Sequence, residues 1–245
     1  MNLINEDFAI WAKGFSGCDG GDIGSPHNKS IWFCGIEYAG EDISDENELR
    51  KITFSEKVQI PFEGHTEWNH NLKHRFNWQA MKLLASINGG RVSEYKRFAE
   101  INQPFVKGAN GYFKANLYPL AFKNTSHQFW KDSFAKATGL NKKQDYLEWI
   151  RINRFPIMKT WVENYCPKLI ICAGRNYLGD YALAFADDGL AFNSEVIDDR
   201  ELNWTINKNG SIVVVIPFMI NRNGLTKNVS IQKFGDRIRE LLASN

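Results

Sequence analysis

Three polar side chains with complementary chemistry each follow an apolar stretch of this 245-residue chain. Glu37 supplies a carboxylate, Asn116 an amide and Arg222 a guanidinium. A carboxylate can activate water or stabilise a developing cation, whereas an amide or a guanidinium can stabilise a developing anion. Together these groups could cleave a bond whose carbon becomes cationic while its leaving group becomes anionic.

The elements that must position these groups are four apolar runs that read as buried parallel strands, each ending in a turn rich in polar, Gly or Pro residues. Ligands of open α/β sheets bind beyond the carboxyl ends of such strands. We therefore predict a three-layer α/β/α sandwich with a central, mostly parallel four-stranded sheet. The strands are residues 30–35, 112–115, 168–172 and 211–216, and the backbone turns of the site are at Gly35, Gly40, Gly174 and Pro217.

Amphipathic periodicity predicts helices between these strands. Two further segments, residues 195–197 and 204–206, could pair as a hairpin. Residues 1–29 contain a Gly-rich loop that lacks the spacing of a Walker motif. We therefore expect a flexible lead-in segment before the first strand, and not a phosphate-binding loop. We expect one domain over residues 1–245. The predicted helices are Glu6–Lys13, Arg75–Ile87 and residues 93–100, 145–165 with an interruption at Pro156, 177–185 and 230–243.

Composition narrows the class of protein. The formal net charge is +2, so no global basic field indicates a nucleic-acid partner, although a local basic groove for nucleic acid is still possible.

The four cysteines have no C-x-x-C spacing, which favours a reduced cytoplasmic protein without an iron–sulfur cluster. No signal peptide or membrane span is evident, and no membrane association is expected. The i,i+4 spacing of His70 and His74 would suit a metal only on a helix, and the polar residues between the histidines, with His65 as the third, and the lack of a nearby Cys argue against a site. We expect no metal and no organic cofactor.

Four short motifs, in order along the chain, carry a resemblance to a known family. Residues 34–40 (CGIEYAG) follow the first strand, residues 74–78 (HRFNW) begin a helix, residues 114–119 (KANLYP) end the second strand, and residues 167–174 (PKLIICAG) contain the third. This order resembles the uracil-DNA glycosylase superfamily, and the second motif resembles its mismatch-specific branch. The resemblance covers roughly residues 30–240 and implies that the first strand lies between the second and the third.

The resemblance also implies roles for individual residues. Glu37 stands where the family has its water-activating acid, and Asn116 stands where the family reads the base. The fourth motif differs, since Ile216 replaces the usual His before Pro217. Arg222, as a second catalytic residue, or Asn221 would then stabilise the departing base. An aromatic ring could stack on the base, with Tyr38, Phe54 and Phe76 as the candidates.

The expected function is recognition or hydrolytic excision of an extruded uracil-type or mismatched base by a monomer, with single-stranded or mismatched DNA, or a nucleotide, as partner. The alternative is a catalytically silent module that binds a nucleotide, nucleic acid or protein in the same pocket. A small-molecule hydrolase that uses Glu37 is a third possibility. Structural roles are also open: Glu37 as a cap, Asn116 as a partner of turn amides, and residues 221–224 as a simple turn.

Overall fold

A mixed sheet of seven strands forms the centre of the fold, in a computed structural model that describes residues 4–37, 54, 64–122 and 130–244. The order across the sheet is β1-β3-β2-β4-β7-β6-β5. Helices and strands alternate along the chain, which confirms the α/β class. The strands are β1 (Gly20–Gly21), β2 (Ile31–Gly35), β3 (Tyr112–Asn116), β4 (Leu169–Ala173), β5 (Asn193–Ile197), β6 (Arg200–Ile206) and β7 (Ile212–Ile216).

Helices cover both faces of the sheet. Apolar residues of α1, α5, α6, α7 and α8 pack on one face, and those of α3, α4 and α9 on the other. The helices are α1 (Glu6–Lys13), α2 (Trp68–Asn71), α3 (Arg75–Ile87), α4 (Tyr95–Asn102), α5 (Asp132–Thr138), α6 (Lys143–Asn153), α7 (Phe155–Tyr165), α8 (Leu178–Phe185) and α9 (Asn228–Ala243).

Strand β2 illustrates how the sheet separates the two helical layers. Trp32 and Cys34 belong to one hydrophobic cluster, whereas Ile31 and Phe33 belong to the other. Successive side chains of a strand point to opposite faces, so a continuous apolar run serves both layers at once. All five residues of β2 are buried, as are those of β4 and β7.

The four strands expected from the apolar runs, β3, β2, β4 and β7, lie side by side and parallel. Strand β2 pairs with both β3 and β4. The sheet nevertheless has seven strands, and not the four predicted, because β1, β5 and β6 extend it by antiparallel pairing. Strand β1 consists of two glycines and β5 is largely exposed, so neither carries an apolar signal.

The predicted hairpin of residues 195–197 and 204–206 exists as β5 and β6, but in another register, since Glu195 pairs with Leu202, Ile197 with Arg200, and Trp204 with Asn193. Its two-residue turn holds Asp198 and Asp199 at φ values of 51° and 62°, a region that favours Gly or Asn. The carboxylate of Asp198 accepts hydrogen bonds from Ser230 and Lys233 of α9. These bonds to α9 hold the turn in place against the cost of its backbone conformation.

The predicted helix over residues 145–165 is two helices, α6 and α7, which meet at Arg154. Pro156 lies in the first turn of α7, where its missing N–H has no helical partner to lose. The break therefore lies N-terminal to the proline, and it turns the side chain of Arg154 into the protein.

Arg154 is fully buried and connects three parts of the chain. Its guanidinium donates to the carbonyl oxygens of Leu117 at 3.1 Å, Ala12 at 2.5 Å, Gly14 at 2.9 Å and Ser16 at 2.5 Å. It also donates to the Ser16 hydroxyl at 3.2 Å. Burying a cation is costly unless its donors are satisfied, and here neutral carbonyls from α1, the following loop and the turn after β3 surround it.

The segment before β2 is part of the fold, in contrast to the flexible lead-in that the sequence suggested. Phe8 of α1 is fully buried, and β1 pairs with β3. The carbonyl of Gly17 accepts from both the backbone N–H and the side-chain amide of Asn116. The glycines of this segment allow the backbone to approach β3 closely; a Cβ on Gly17 would lie 2.8 Å from the Cα of Pro119.

We expect Arg154→Met to lower the free energy of unfolding by about 4 kcal/mol or more, since each buried carbonyl left without a donor costs about 1–3 kcal/mol. Urea denaturation followed by tryptophan fluorescence measures the change. Arg97→Met, on the exposed face of α4, is the matched control and should change stability by about 0.5 kcal/mol or less. Equal losses in the two variants would contradict a central role for Arg154.

Candidate functional site

A cavity of about 820 Å³ lies beyond the carboxyl ends of β2, β4 and β7. Its walls include the segment after β2, the segment after β4 and the loop after β7, together with Phe122 and the turn between β5 and β6. This is the edge of the sheet at which ligands of α/β proteins bind, and the volume suits a small-molecule site. Glu37 is one of the residues that line this cavity.

The backbone at Glu37 is positioned by the turn that follows β3. Leu117 N donates to the carbonyl of Gly35 at 3.1 Å, and Tyr118 N donates to the carbonyl of Ile36 at 2.9 Å. These bonds continue the parallel pairing of β2 and β3 past the ends of the strands. Glu37 therefore follows directly on a rigid edge of the sheet.

Glu37 forms a buried ion pair with Lys143, the first residue of α6. The distance from Lys143 Nζ to Glu37 Oε2 is 3.3 Å, and the two side chains are 1% and 7% exposed, respectively. A cation at the N-terminus of a helix is disfavoured by the helix dipole, so α6 itself does not account for this lysine. The ammonium also lies 3.7 Å from the ring centre of Phe122, a cation–π contact within the cavity wall.

Burial dominates the acid–base behaviour of this pair. It raises the pKa of the Glu37 carboxyl to about 7, although the Lys143 ammonium acts in the opposite direction. Burial also lowers the pKa of Lys143, and the carboxylate of Glu37 opposes that change. Because the pKa of Glu37 lies near neutrality, the carboxyl can both release and accept a proton close to pH 7.

The two oxygens of the Glu37 carboxyl differ in their hydrogen bonding. Oε2 accepts from Lys143, whereas Oε1 is buried and has no hydrogen-bond partner among residues 4–37, 54, 64–122 and 130–244. A buried acceptor without a donor is costly, and the cavity is where a donor could approach it. The arrangement can therefore hold a water molecule or a ligand hydroxyl and remove its proton.

Asn116, the predicted base reader, is 4% exposed and is not among the described residues that line the cavity. Its side-chain amide donates to the carbonyl of Gly17 at 3.1 Å. Its Oδ1 lies over Gly35, where an added Cβ would collide with it. The contacts of this amide are thus internal and join the segment before β2 to the sheet.

Of the two candidates after β7, Asn221 lines the cavity and Arg222 does not. Arg222 is exposed on the loop. The guanidinium groups that line the cavity belong to Arg175 after β4 and to Arg200 at the start of β6. Sequence reasoning missed Arg200 because the hairpin carried no sign of its position beside the parallel strands.

The three aromatic candidates have different positions. Phe54 is buried against Phe8 and Trp11, with ring centres 5.5 and 5.2 Å away, and is a core residue. Phe76 packs on Phe218, a residue of the cavity wall, with ring centres 5.8 Å apart. Tyr38, like the turn residue Gly40, lies outside the described residues.

Two of the predicted backbone turns line the cavity, Gly174 and Pro217. Gly174 has a φ of 141°, and a Cβ there would lie 2.7 Å from Ile36 Cδ1. Only glycine fits this position, which lets the segment after β4 pass close to the segment that carries Glu37. Gly35 instead lies beneath the side chain of Asn116.

Lys143 and Phe122 were also missed from the sequence. Lys143 lies 106 residues after Glu37, and no local pattern links two such positions. Because the predicted helix began at residue 145, Lys143 was not recognised as a lysine in a first helical turn, where the dipole favours acidic residues. Phe122 gave no signal, since most aromatic residues of this chain are in the core.

The described residues contain no group of three or more His, Cys, Asp or Glu side chains that could hold a metal ion. His65 and His74 are neighbours, with ring centres 6.4 Å apart. Within the described part of the chain, no helix combines the length and the apolar character needed to cross a membrane. No protein-family model matches this chain, and no curated protein matches its sequence.

We expect Lys143→Met to reduce stability by about 3–5 kcal/mol at pH 8, because it leaves the Glu37 carboxylate buried and unpaired. Without the ammonium, the pKa of Glu37 in the folded protein rises further above its unfolded value. The loss should therefore be smaller at pH 5.5, where the carboxyl takes up a proton, and should grow as the pH rises through the folded-state pKa.

Urea denaturation at pH 5.5 and pH 8 measures this difference. Lys142→Met, which alters the exposed neighbouring residue, is the matched control and should give the same small change at both pH values. A loss in Lys143→Met that does not depend on pH would show that the ammonium acts through packing and not through the charge of Glu37.

Proposed function

We propose that this protein is a DNA glycosylase-like enzyme that hydrolyses the N-glycosidic bond of an extruded base. The observation that carries the proposal is Glu37, which lines a cavity at the carboxyl edge of the sheet and has one buried carboxyl oxygen without a hydrogen-bond partner among the described residues. Hydrolysis of such a bond needs a base for water next to a developing oxocarbenium ion. Glu37 can serve both needs.

The arrangement of the strands supports the proposal. The resemblance to the uracil-DNA glycosylase superfamily implied that the first parallel strand lies between the second and the third, and β2 lies between β3 and β4. Two of the four segments that carried the resemblance contribute to the cavity wall, through Glu37 and Gly174, and Pro217 of the divergent last motif lines it as well. The combined agreement in the order, the direction and the position of these strands is more specific than any one of the short motifs.

In the proposed reaction the carboxylate of Glu37 accepts a proton from water as the oxygen attacks C1′ of the sugar. The C1′–N bond breaks at the same time, and its electron pair leaves with the base. Asn221 and Asn223, which line the cavity, offer amide N–H groups that can stabilise the negative charge on the base. The base then takes up a proton and leaves as a neutral molecule.

Lys143 has a supporting role in this reaction. Its ammonium lowers the pKa of Glu37 from the value that burial alone would impose. It therefore keeps a larger fraction of Glu37 ionised at neutral pH, and the ionised form is the one that activates water. Lys143 does not line the cavity, so it acts through Glu37 and not on the substrate.

The second candidate function is a catalytically silent module that binds a nucleotide or nucleic acid in this cavity. Two observations favour it. The amide of Asn116 is engaged with Gly17, and Ile216, which stands where the resembled family has its catalytic His, is fully buried. In this case the cavity would bind a base without releasing it.

Glu37→Gln should reduce release of free base by about 10²–10⁴-fold, because glutamine keeps the shape of the side chain but cannot accept the proton of water. Binding of the same oligonucleotide should change little, since the charge of Glu37 acts mainly in the transition state. The assay follows free base released from oligonucleotides that carry uracil, hypoxanthine or a mismatch. Glu148→Gln, on the exposed face of α6, is the control and should retain full activity.

The rate should rise with pH and level off above the pKa of Glu37, which is about 7, because the carboxylate is the active form. A wild-type protein that binds these oligonucleotides but releases no base at any pH would rule out the enzyme and leave the binding module.

Single-stranded or mismatched oligonucleotides should bind more tightly than matched duplex, since extruding a base costs less when it is unpaired. Fluorescence anisotropy at two salt concentrations measures both affinities. The dependence on salt should be shallow, because the net charge of the chain is only +2. Equal binding of all three ligands would indicate contacts to the backbone alone, without entry of a base.

A further inference from the structure

We propose that Arg200 forms an anion subsite of the cavity and binds the phosphate of a nucleotide unit whose base lies towards Glu37. This inference rests on the proposed function and names the part of the substrate that reaches beyond the base. Arg200 begins β6, in the antiparallel extension of the sheet, and its side chain lines the cavity.

The guanidinium of Arg200 is held in a fixed position by neutral groups. Nε donates to the carbonyl of Gly224 at 2.8 Å, and Nη1 donates to the carbonyl of Asp198 at 3.0 Å. Among the described residues these bonds use two of the five N–H donors of a guanidinium, and the other three can serve a ligand. A planar donor set that is held in advance suits the oxygen atoms of a phosphate.

Arg200 differs from Arg175 and Lys143 in its charge partners. Arg175 pairs with Glu201, and Lys143 pairs with Glu37. Among the described residues no carboxylate forms an ion pair with Arg200. Asp199 also lines the cavity but is exposed, so water screens its charge. Arg200 is therefore the cavity arginine with capacity for an anion.

The cavity wall contains both apolar groups and a guanidinium. Near Glu37 the wall is apolar, formed by Ile36 and by the ring of Phe122 beneath Lys143. Arg200 is bound instead to Gly224, at the end of the loop that follows β7. The volume of about 820 Å³ has room for more than an isolated base. A nucleotide unit fits this division, with its base on the apolar wall and its phosphate at the guanidinium.

The test compares deoxyuridine with deoxyuridine 5′-monophosphate, by isothermal titration calorimetry, in wild type and variants. The wild type should bind the monophosphate about tenfold or more tightly than the nucleoside, since hydrogen bonds to a charged group are among the strongest available. Arg200→Gln should abolish this ratio without changing the affinity for deoxyuridine. A variant that merely disturbed the loop after β7 would weaken both ligands together.

Two further variants serve as matched controls in the same wall. Arg175→Gln should leave the ratio within about twofold, because the charge of Arg175 is already paired with Glu201. Asp199→Asn should increase the ratio, because it removes a nearby negative charge. Equal affinities for the two ligands in the wild type, absence of binding by either, or an unchanged ratio in Arg200→Gln would each overturn the proposal.

A uracil-containing single-stranded oligonucleotide distinguishes the source of the phosphate. If Arg200→Gln weakens the oligonucleotide as much as the monophosphate, the phosphate belongs to the nucleic acid backbone; if only the monophosphate is weakened, the cavity is a site for free nucleotides. Binding that depends on Arg200 but occurs without release of base would support the subsite while rejecting the proposed hydrolysis.

Discussion

The guanidinium of Arg154 is the interaction on which the carboxyl edge of the sheet depends. It donates to the carbonyl of Ala12 in α1, to that of Ser16 in the Gly-rich loop and to that of Leu117. Leu117 in turn donates to Gly35, and the next residue, Tyr118, donates to Ile36. A chain of hydrogen bonds therefore leads from a buried cation to the backbone just before the carboxyl of the site. Because each acceptor is buried, the loss of any one of these hydrogen bonds lowers the stability of the protein.

The site itself is built from charges that the interior tolerates only in pairs. Hydrophobic packing at the end of the parallel strands buries the carboxyl of Glu37, and that burial raises its pKa. The ammonium of Lys143 offsets part of the cost of burying this carboxyl. Burial also lowers the pKa of that ammonium. Replacing such a pair by apolar residues is often neutral or stabilising, so stability alone gives no reason for it. A carboxyl whose pKa lies near neutrality gives a functional reason for keeping the pair.

The central strands could be predicted from the sequence because burial on both faces leaves continuous β-branched and apolar runs, as in β7. Helices α1 and α3 were predicted with their observed bounds, since their apolar spacing and end residues agree. Of the outer strands, β1 escaped prediction, and β5 was predicted only over residues 195–197. Their pairing depends on backbone hydrogen bonds to neighbours already in place, and such bonds require no particular side chain.

The sequence by itself determined the α/β class, the parallel centre of the sheet and the position of Glu37 at its carboxyl edge, because these follow from local apolar runs and the turns after them. Only the tertiary structure decided which groups accompany Glu37. Lys143 reaches Glu37, and Arg200 reaches the cavity, from elements distant in the chain, whereas the amide of Asn116 is directed to Gly17. The physical reason is that a strand fixes where its end lies, while charge pairs and loop contacts form between segments that no local pattern connects.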